Sequence, residues 1–188
     1  MSYELVVMGM SLGGLNALER VLSDLPADFP LPIAIVQHRS VDSQETMLTI
    51  LRPYSALPIS EPNDKEPICA GRVYIAPPDY HLLVGKEGFA LTTEAPVYYA
   101  RPSIDVLFES AADLYAERVI GVIMTGASGD GAYGAARIKA QGGVMIVQDP
   151  FTAESGTMPR AAIESARIDY VVPLDGIGSL LATLSVKR

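Results

Sequence analysis

Short apolar runs of strand length alternate along this chain with segments whose apolar residues recur at helical spacing. The apolar runs predict strands over 4–8, 31–36, 119–124, 144–147 and 170–172. The amphipathic segments predict helices over 12–23, 43–54, 103–115 and 132–141. Strands and helices that alternate in this way are typical of a parallel sheet covered by helices, so the predicted fold class is α/β.

The middle of the chain breaks this alternation. Residues 71–93 contain the apolar runs "RVYIA" and "HLLVGKEGFALTT", and glycines at 85 and 88 suit a tight turn within the second run. We therefore predict a short antiparallel excursion at one edge of the sheet. The Pro-rich stretch 53–67 before it is interpreted as an irregular connection rather than a domain linker, because Leu57 and Ile59 are apolar.

Length and composition limit the possible functions. The 188 residues suit one compact domain, and the excess of 22 acidic over 14 basic residues argues against a nucleic-acid partner. Cys69 is the single cysteine and there are two histidines, so we expect no internal disulfide, no metal site and no cofactor. Because no apolar run approaches the ~18 residues of a membrane span and no export signal is present, we expect a cytoplasmic protein without membrane insertion.

Three residues with useful chemistry each follow a predicted strand. Ser11 follows the first strand in "GMSLG", which fits the G-x-S-x-G pattern of a strand-to-helix turn that presents a nucleophilic serine. His38 follows the second strand, and Asp130 lies in the glycine-rich turn after the third. Because ligands bind beyond the carboxyl ends of parallel strands, we expect these side chains to meet there. An imidazole held by a carboxylate can activate a serine hydroxyl for attack on an ester.

Each of these residues also has a plainer interpretation. Ser11 and Asp130 both precede a predicted helix, and either could be only a helix N-cap. His81 is the other histidine, but it opens the predicted hairpin instead of following a central strand. Asp149 also follows a strand and stays a second candidate for the orienting carboxylate, although its turn is less rich in glycine.

Glycine-rich turns between a strand and a helix also bind phosphates, so a nucleotide site is an alternative of a different kind. The first turn carries Ser11 where a dinucleotide fingerprint needs its second glycine, and the glycines at 126, 129 and 131 have the wrong spacing. The "GKE" that begins at Gly85 lacks the serine or threonine of a P-loop. An anion-binding or protein-interaction module without catalysis remains the non-enzymatic alternative.

Seven segments follow one another along the chain: "GMSLGGLNAL", "VQHRS", "GRVYIAPPDYHLLV", "RPSIDVLFESAA", "VIMTGASGDGAYGAARIKAQGG", "VQDPFTAESGTMPRAAI" and "VVPLDGI". Together they resemble the catalytic domain of the chemotaxis methylesterase family CheB. The resemblance implies a doubly wound, mostly parallel sheet with helices on both faces. It also implies a serine esterase that hydrolyses glutamate γ-methyl esters of chemoreceptors to glutamate and methanol, and some members also deamidate receptor glutamines.

By this resemblance Ser11 corresponds to the nucleophile, His38 to the base and Asp130 to the carboxylate that orients the base. The backbone N–H of Leu12, at the start of a helix, is a candidate donor to the oxyanion of the reaction. The resemblance adds the backbone N–H of Ala127 as the second donor. The family usually has threonine in place of Leu12 and methionine in place of Ala127.

Two arginines are candidates for substrate contacts. Arg39 follows the histidine, where the family usually has methionine, and could bind acidic side chains of the substrate. Arg101, in "RPSID", could do the same, or could form a salt bridge that fixes its loop. The full-length chemotaxis enzyme carries an N-terminal receiver domain, whereas this sequence starts at the first catalytic strand. It is therefore either a single stand-alone domain, which we expect, or a fragment of a longer chain. Its expected partners are a methylated chemoreceptor domain and a separate receiver domain.

Overall fold

The computed structural model describes residues 2–38 and 44–186, with residues 44–46 described by their backbone only. Its strands are β1 (Leu5–Met10), β2 (Ile33–Gln37), β3 (Ile59–Ser60), β4 (Val73–Ile75), β5 (His81–Gly85), β6 (Gly88–Thr92), β7 (Val119–Ile123), β8 (Val144–Gln148) and β9 (Tyr170–Val172). Its helices are α1 (Gly14–Ser23), α2 (Gln44–Leu51), α3 (Ile104–Tyr115), α4 (Ala132–Ala140), α5 (Thr157–Ser165) and α6 (Leu174–Ser185). One-turn 3₁₀ segments follow α2 and α3, at Arg52–Tyr54 and Ala116–Arg118.

Seven strands form one parallel sheet in the order β3-β4-β2-β1-β7-β8-β9. The strands β5 and β6 form a separate antiparallel pair. Helices α1, α2 and α6 pack on one face of the sheet, and α3, α4 and α5 pack on the other. The predicted α/β class and doubly wound arrangement are therefore confirmed.

The central strands β1, β2 and β7 are buried along their whole length. Along β1, Val6 and Met8 belong to the core on one face, while Leu5 and Val7 belong to the core on the other. A strand covered on both faces exposes neither face to solvent, so both alternating sets of side chains are apolar. This explains the continuous apolar runs of the sequence. In the two described ranges no helix is both long and apolar enough to cross a bilayer.

Two predictions about the middle of the chain need correction. The hairpin that turns between Gly85 and Gly88 is confirmed, but β4 is not part of it. Instead β4 lies inside the main sheet, parallel to both β2 and β3, because its residues are buried on both faces. The connection 53–67 is also not wholly irregular, since it contains β3.

The predicted helices and strands were found with small shifts at their ends. Strand β1 continues to Met10, and α1 starts at Gly14 because residues 11–13 form the turn between them. Helices α5 and α6 were not predicted. Their sequences contain Pro159, Gly176 and Gly178, which lower intrinsic helix propensity, so packing against the sheet decides their conformation.

The direction of strand order reverses between β1 and β7. On one side of β1 the sheet continues with β2, β4 and β3, whereas β7, β8 and β9 lie on the other side. In open α/β sheets this reversal opens a crevice beyond the carboxyl ends of the strands, where ligands bind. The segments that leave β1, β2 and β7 therefore define the candidate site.

Candidate active site

Ser11 begins the turn that leads from β1 into α1. Its N–H donates to the carbonyl oxygen of Thr125 over 2.9 Å, and its own carbonyl oxygen accepts from Gly14 over 2.8 Å. Gly13 completes the turn at φ +79°, a conformation that favours glycine, and it holds the N-cap position of α1. Ser11 is therefore not the N-cap, and the turn holds its half-buried side chain at the strand reversal.

His38 lies directly beside this turn. Its backbone N–H donates to the carbonyl oxygen of Met10 over 3.1 Å, and the Nε2 atom of its ring lies 2.7 Å from Oδ2 of Asp130. The N-cap of α4 is Gly131, so Asp130 does not cap the helix that follows it. The structure thus joins His38 to Asp130 beside the backbone of Ser11.

The carboxylate of Asp130 is completely buried at the N-terminus of α3. It accepts hydrogen bonds from Oγ of Ser103 (2.8 Å), from the N–H of Ile104 (2.7 Å) and from the N–H of Asp105 (3.0 Å). Burial alone would raise the pKa of Asp130, but the bonds from His38 and from the two backbone N–H groups outweigh it and hold that pKa below 3.8. Asp130 is therefore ionised at neutral pH and can hold an imidazolium.

Ser103 and His81 form a further layer behind Asp130. The Nδ1 atom of His81 accepts the N–H of Ser103 over 3.1 Å, and its Nε2 atom lies 3.1 Å from the carbonyl oxygen of Ala95. Because Nδ1 accepts, Nε2 carries the ring proton and donates to Ala95. His81 is buried in this layer, and it is His38 that contacts Asp130. The sequence showed Ser103 as the start of a helix, but did not show that its hydroxyl reaches Asp130.

The candidate oxyanion donors lie on two turns that are tied together. In the part of the chain that the structure describes, the N–H groups of Leu12 and Ala127 donate no hydrogen bond. The Oγ1 atom of Thr125 donates to the carbonyl oxygen of Leu12 over 2.8 Å and accepts the N–H of Ser155 over 2.9 Å. Next to it, Gly126 donates to the carbonyl oxygen of Ser155 over 3.0 Å. Two unused donors on a fixed backbone can receive negative charge that develops on a carbonyl oxygen.

Gln37, the last residue of β2, joins the nucleophile candidate to the base candidate. Its Nε2 donates to the carbonyl oxygen of Ser11 over 2.8 Å and to that of His38 over 2.9 Å. Its Oε1 is buried and has no hydrogen-bond partner among the described residues, and a Cβ on Gly14 would overlap it. Sequence reasoning missed this residue, since a glutamine at a strand end carries no specific signal.

A cavity of about 380 Å³ opens beside His38. Its lining comprises His38, Tyr98, Tyr99, Ala100, Arg101 and Pro102. Arg101 donates to the carboxylate of Asp79 and to the carbonyl oxygens of Thr93 and Glu94, which is the geometry of a residue that fixes its loop.

The other two candidates do not add to the described site. Arg39 lies outside the described residues. The carboxylate of Asp149 accepts the N–H of Phe151 over 3.0 Å within its own turn, whereas the carboxylate on His38 is that of Asp130.

Asp105 is a second buried carboxyl group close to Asp130. Its Oδ1 accepts the N–H of Gly134 over 2.7 Å, which joins α3 to α4. Burial is the main reason why the pKa of Asp105 rises to about 6. The hydrogen bond from Gly134 lowers this pKa, and the negative charge of Asp130 raises it further. Two adjacent carboxyl groups are thus held at different pKa values, with only Asp130 bonded to the imidazole.

The fold and the site define the class of this protein: a doubly wound α/β domain with a histidine–aspartate pair beside a serine turn at the strand reversal. The family model for CheB methylesterase matches residues 6–181. The chain therefore belongs to the CheB methylesterase family.

Individual relatives agree with this assignment. The chain is 47% identical over 185 residues to a putative protein-glutamate methylesterase/protein-glutamine glutaminase of Leptospira interrogans, covering 98% of this chain and 96% of the relative. It is 43% identical over 182 residues to protein-glutamate methylesterase/protein-glutamine glutaminase 2 of Anaeromyxobacter dehalogenans, covering 97% of this chain but 53% of that protein. The crystal structure of the Thermotoga maritima CheB methylesterase catalytic domain superimposes with a TM-score of 0.92 at 35% identity, covering 98% of this chain and 100% of that one.

Proposed function

We propose that this chain hydrolyses γ-methyl esters of glutamate side chains in proteins, with Ser11 as nucleophile, His38 as general base and Asp130 as the group that orients and stabilises the imidazole. The observation that carries the proposal is the 2.7 Å contact between Nε2 of His38 and Oδ2 of Asp130, beside the Ser11 turn. Membership of the CheB methylesterase family supports the choice of ester.

The ring orientation of His38 assigns a role to each nitrogen. With Nε2–H donating to the carboxylate of Asp130, Nδ1 carries the lone pair that can take the proton of Ser11. The Ser11 oxygen then forms a bond to the ester carbonyl carbon. The resulting oxyanion accepts hydrogen bonds from the N–H groups of Leu12 and Ala127. When the tetrahedral intermediate collapses, the bond to methoxide breaks, and His38 returns the proton to give methanol.

Water completes the reaction on the resulting acyl-enzyme. His38 removes a proton from water, the hydroxide adds to the acyl carbon, and the bond to Ser11 breaks as the serine oxygen regains the proton. The product is the free glutamate side chain. A glutamine side chain passes through the same steps with ammonia as the leaving group, which matches the glutaminase named in the relatives.

Methylated chemoreceptors are the proposed protein substrate, and a separate receiver domain is the proposed regulatory partner. The family name supports the first of these. The non-enzymatic alternative of an anion-binding or protein-interaction module is disfavoured, because the family model for CheB methylesterase matches residues 6–181 and the relatives carry the names of enzymes.

Methanol release from methylated receptor membranes tests the proposal. The wild-type chain is expected to release methanol, and Ser11→Ala is expected to lower the rate by about 10³-fold or more. A phosphonate probe should label Ser11 in the wild type and leave the folded Ser11→Ala variant unlabelled. Full activity of Ser11→Ala would exclude the mechanism.

A further inference from the structure

Two buried aspartates hold the N-termini of α3 and α4 in a reciprocal way. The carboxylate of Asp130, which directly precedes the N-cap of α4, accepts the N–H groups of Ile104 and Asp105 at the start of α3. In return, Oδ1 of Asp105 accepts the N–H of Gly134 in the first turn of α4 over 2.7 Å. The start of each helix therefore binds a carboxylate that comes from the other side of the contact.

The two helices approach each other closely at this point. A Cβ on Gly134 would lie 2.5 Å from Cβ of Phe108 and 3.2 Å from Oδ1 of Asp105, so a side chain there would force the helices apart. The N–H of Gly131, the N-cap residue of α4, is a further donor to the carboxylate of Asp105. Since Asp130 immediately precedes Gly131, the bonds of Asp105 fix the turn that carries Asp130.

Two other carboxylates act on Asp105, and both repel its charge. They are those of Asp130 and of Glu109, which lies one turn further along α3. Helix α4 faces Asp105 with backbone N–H groups, whereas its cation Arg137 bonds to Asp113, about two turns further along α3. The positive charge of Arg137 is therefore placed beside Asp113.

The strands behind α3 contribute apolar and neutral groups. Strands β1 and β7, against which α3 packs, consist of apolar residues and glycine. From β5 comes His81, whose two ring nitrogens are bonded to the N–H of Ser103 and to the carbonyl oxygen of Ala95. The charge of Asp105 is thus held by the backbone N–H groups of α4.

The buried position makes this charge costly for stability. Burial is the main reason why the pKa of Asp105 is raised to about 6, so the carboxyl group is ionised above that pH although the charge opposes folding. Buried groups of this kind are frequent at active sites, where they serve a purpose other than stability. In the proposed reaction the imidazole of His38, bonded to Asp130 over 2.7 Å, is the group that becomes positive.

We propose that Asp105 is a positioning residue for this reaction: its carboxylate fixes the turn of Asp130, and its negative charge adds to that of Asp130 in stabilising the imidazolium of His38. This inference rests on the proposed function and extends the site by a group that acts through Asp130. Charges in a buried site interact over several ångströms, so direct contact with the imidazole is not required.

The test is Asp105→Asn, which removes the charge and keeps an acceptor for Gly134. On a small blocked glutamate γ-methyl ester at pH 8, kcat is expected to fall about fivefold to tenfold with KM within about twofold. At pH 5 most of the wild type is protonated at Asp105, so the two proteins should agree in kcat within about twofold. A purely structural defect would lower kcat at both pH values. The melting temperature at pH 8 should not fall, because a buried charge is removed.

The matched control is Asp113→Asn, which also removes an α3 carboxylate that bonds to α4, through Arg137 over 2.7 Å. Asp113 lies about 12 Å further along the helix than Asp105, so kcat should be unchanged at both pH values. Asp105→Ser, a second uncharged variant, should repeat the loss of kcat at pH 8 and its disappearance at pH 5. An equal loss at both pH values, no loss at pH 8, or the same loss in Asp113→Asn would each overturn the inference.

The phosphonate probe separates this inference from the proposed function, because labelling needs an activated Ser11 but no glutamyl ester. The labelling rate of the wild type should exceed that of Asp105→Asn about fivefold or more at pH 8, and match it at pH 5. This result without any methanol release would refute the proposed function alone. Equal labelling rates at pH 8 in an enzyme that releases methanol would refute the inference alone, and failure of both proteins to react would refute both.

Discussion

The side-chain amide of Gln37 donates a hydrogen bond of 2.8 Å to the carbonyl oxygen of Ser11. The same nitrogen donates to the carbonyl oxygen of His38 over 2.9 Å. One buried amide thus fixes the distance between the main chains that carry the proposed nucleophile and base. Reaction rates are sensitive to displacements of about 1 Å between reacting groups. We therefore expect loss of this bridge to slow the chemical step.

Replacement of Gln37 by methionine keeps the volume of the side chain and removes both hydrogen bonds. We expect kcat to fall about tenfold to a hundredfold with KM changed less than threefold, because Ser11 and His38 lose their common anchor. Steady-state kinetics on a small blocked glutamate γ-methyl ester measure both parameters. Leu181→Ala is the matched control: it creates a cavity in the core under α6 and should lower the melting temperature with kcat retained. A Gln37→Met variant with normal kcat would show that the bridge serves stability alone.

Removal of the Ser103 hydroxyl should weaken the hold on Asp130. Ser103→Ala deletes one of the hydrogen bonds to this carboxylate, so the pKa of Asp130 should rise and the free energy of unfolding at pH 7 should fall by about 1.5–3 kcal/mol. A carboxyl group whose folded pKa is lowered stabilises the protein above its unfolded value of 3.8 and loses that contribution as the pH falls through the folded value. The difference between wild type and variant should therefore shrink below about pH 4.

Urea unfolding over a pH series measures this difference. Ser110→Ala is a suitable comparison, since its hydroxyl accepts the N–H of Val84 and donates to the carbonyl oxygen of Leu107, which are both backbone groups. Its effect on stability should be independent of pH. If the effect of Ser103→Ala were equally flat from pH 3 to pH 7, the hydroxyl would not act through the charge of Asp130.

Asp105 should reduce stability as the pH rises. Its pKa is raised from 3.8 in the unfolded chain to about 6 in the fold, so between these values the native state binds more protons and the free energy of unfolding falls with increasing pH. Above pH 6 the cost approaches about 3 kcal/mol. Asp105→Asn, which keeps an acceptor for Gly134, should be more stable than wild type above pH 6 and similar near pH 4. Equal stability of the two proteins from pH 4 to pH 7 would refute this expectation.

The hydroxyl of Thr125 connects the two turns that carry the proposed oxyanion donors. Thr125→Val is nearly isosteric but cannot bond to Leu12 and Ser155, so we expect kcat to fall about tenfold as the donors lose their fixed geometry. Thr183→Val removes a comparable hydroxyl that bonds to Ser179 on α6, far from the site. Steady-state kinetics on a small blocked glutamate γ-methyl ester give kcat for both variants. Equal activity of the two would mean that Thr125 has no role in positioning the donors.

Local patterns in the sequence were sufficient for much of the fold. The buried strands β1, β2 and β7 and the largely buried β8 could be predicted because a continuous apolar run needs no information beyond its own residues. The short strand β4 was assigned to the wrong sheet, because three residues can pair with several partners and only packing selects one. Helices α5 and α6 could not be predicted because their proline and glycines have low helix propensity, and packing against the sheet stabilises the helical conformation.

The sequence by itself determined that a serine, a histidine and an aspartate each follow a strand of a parallel sheet, since strand ends follow from local hydrophobicity. The tertiary structure decided that His38 rather than His81 meets Asp130, and that Ser103 and the N-terminus of α3 hold this carboxylate. It also decided that Gln37 links Ser11 to His38. These contacts join residues far apart in the chain, and their geometry depends on strand register and helix packing, which no short stretch of sequence contains.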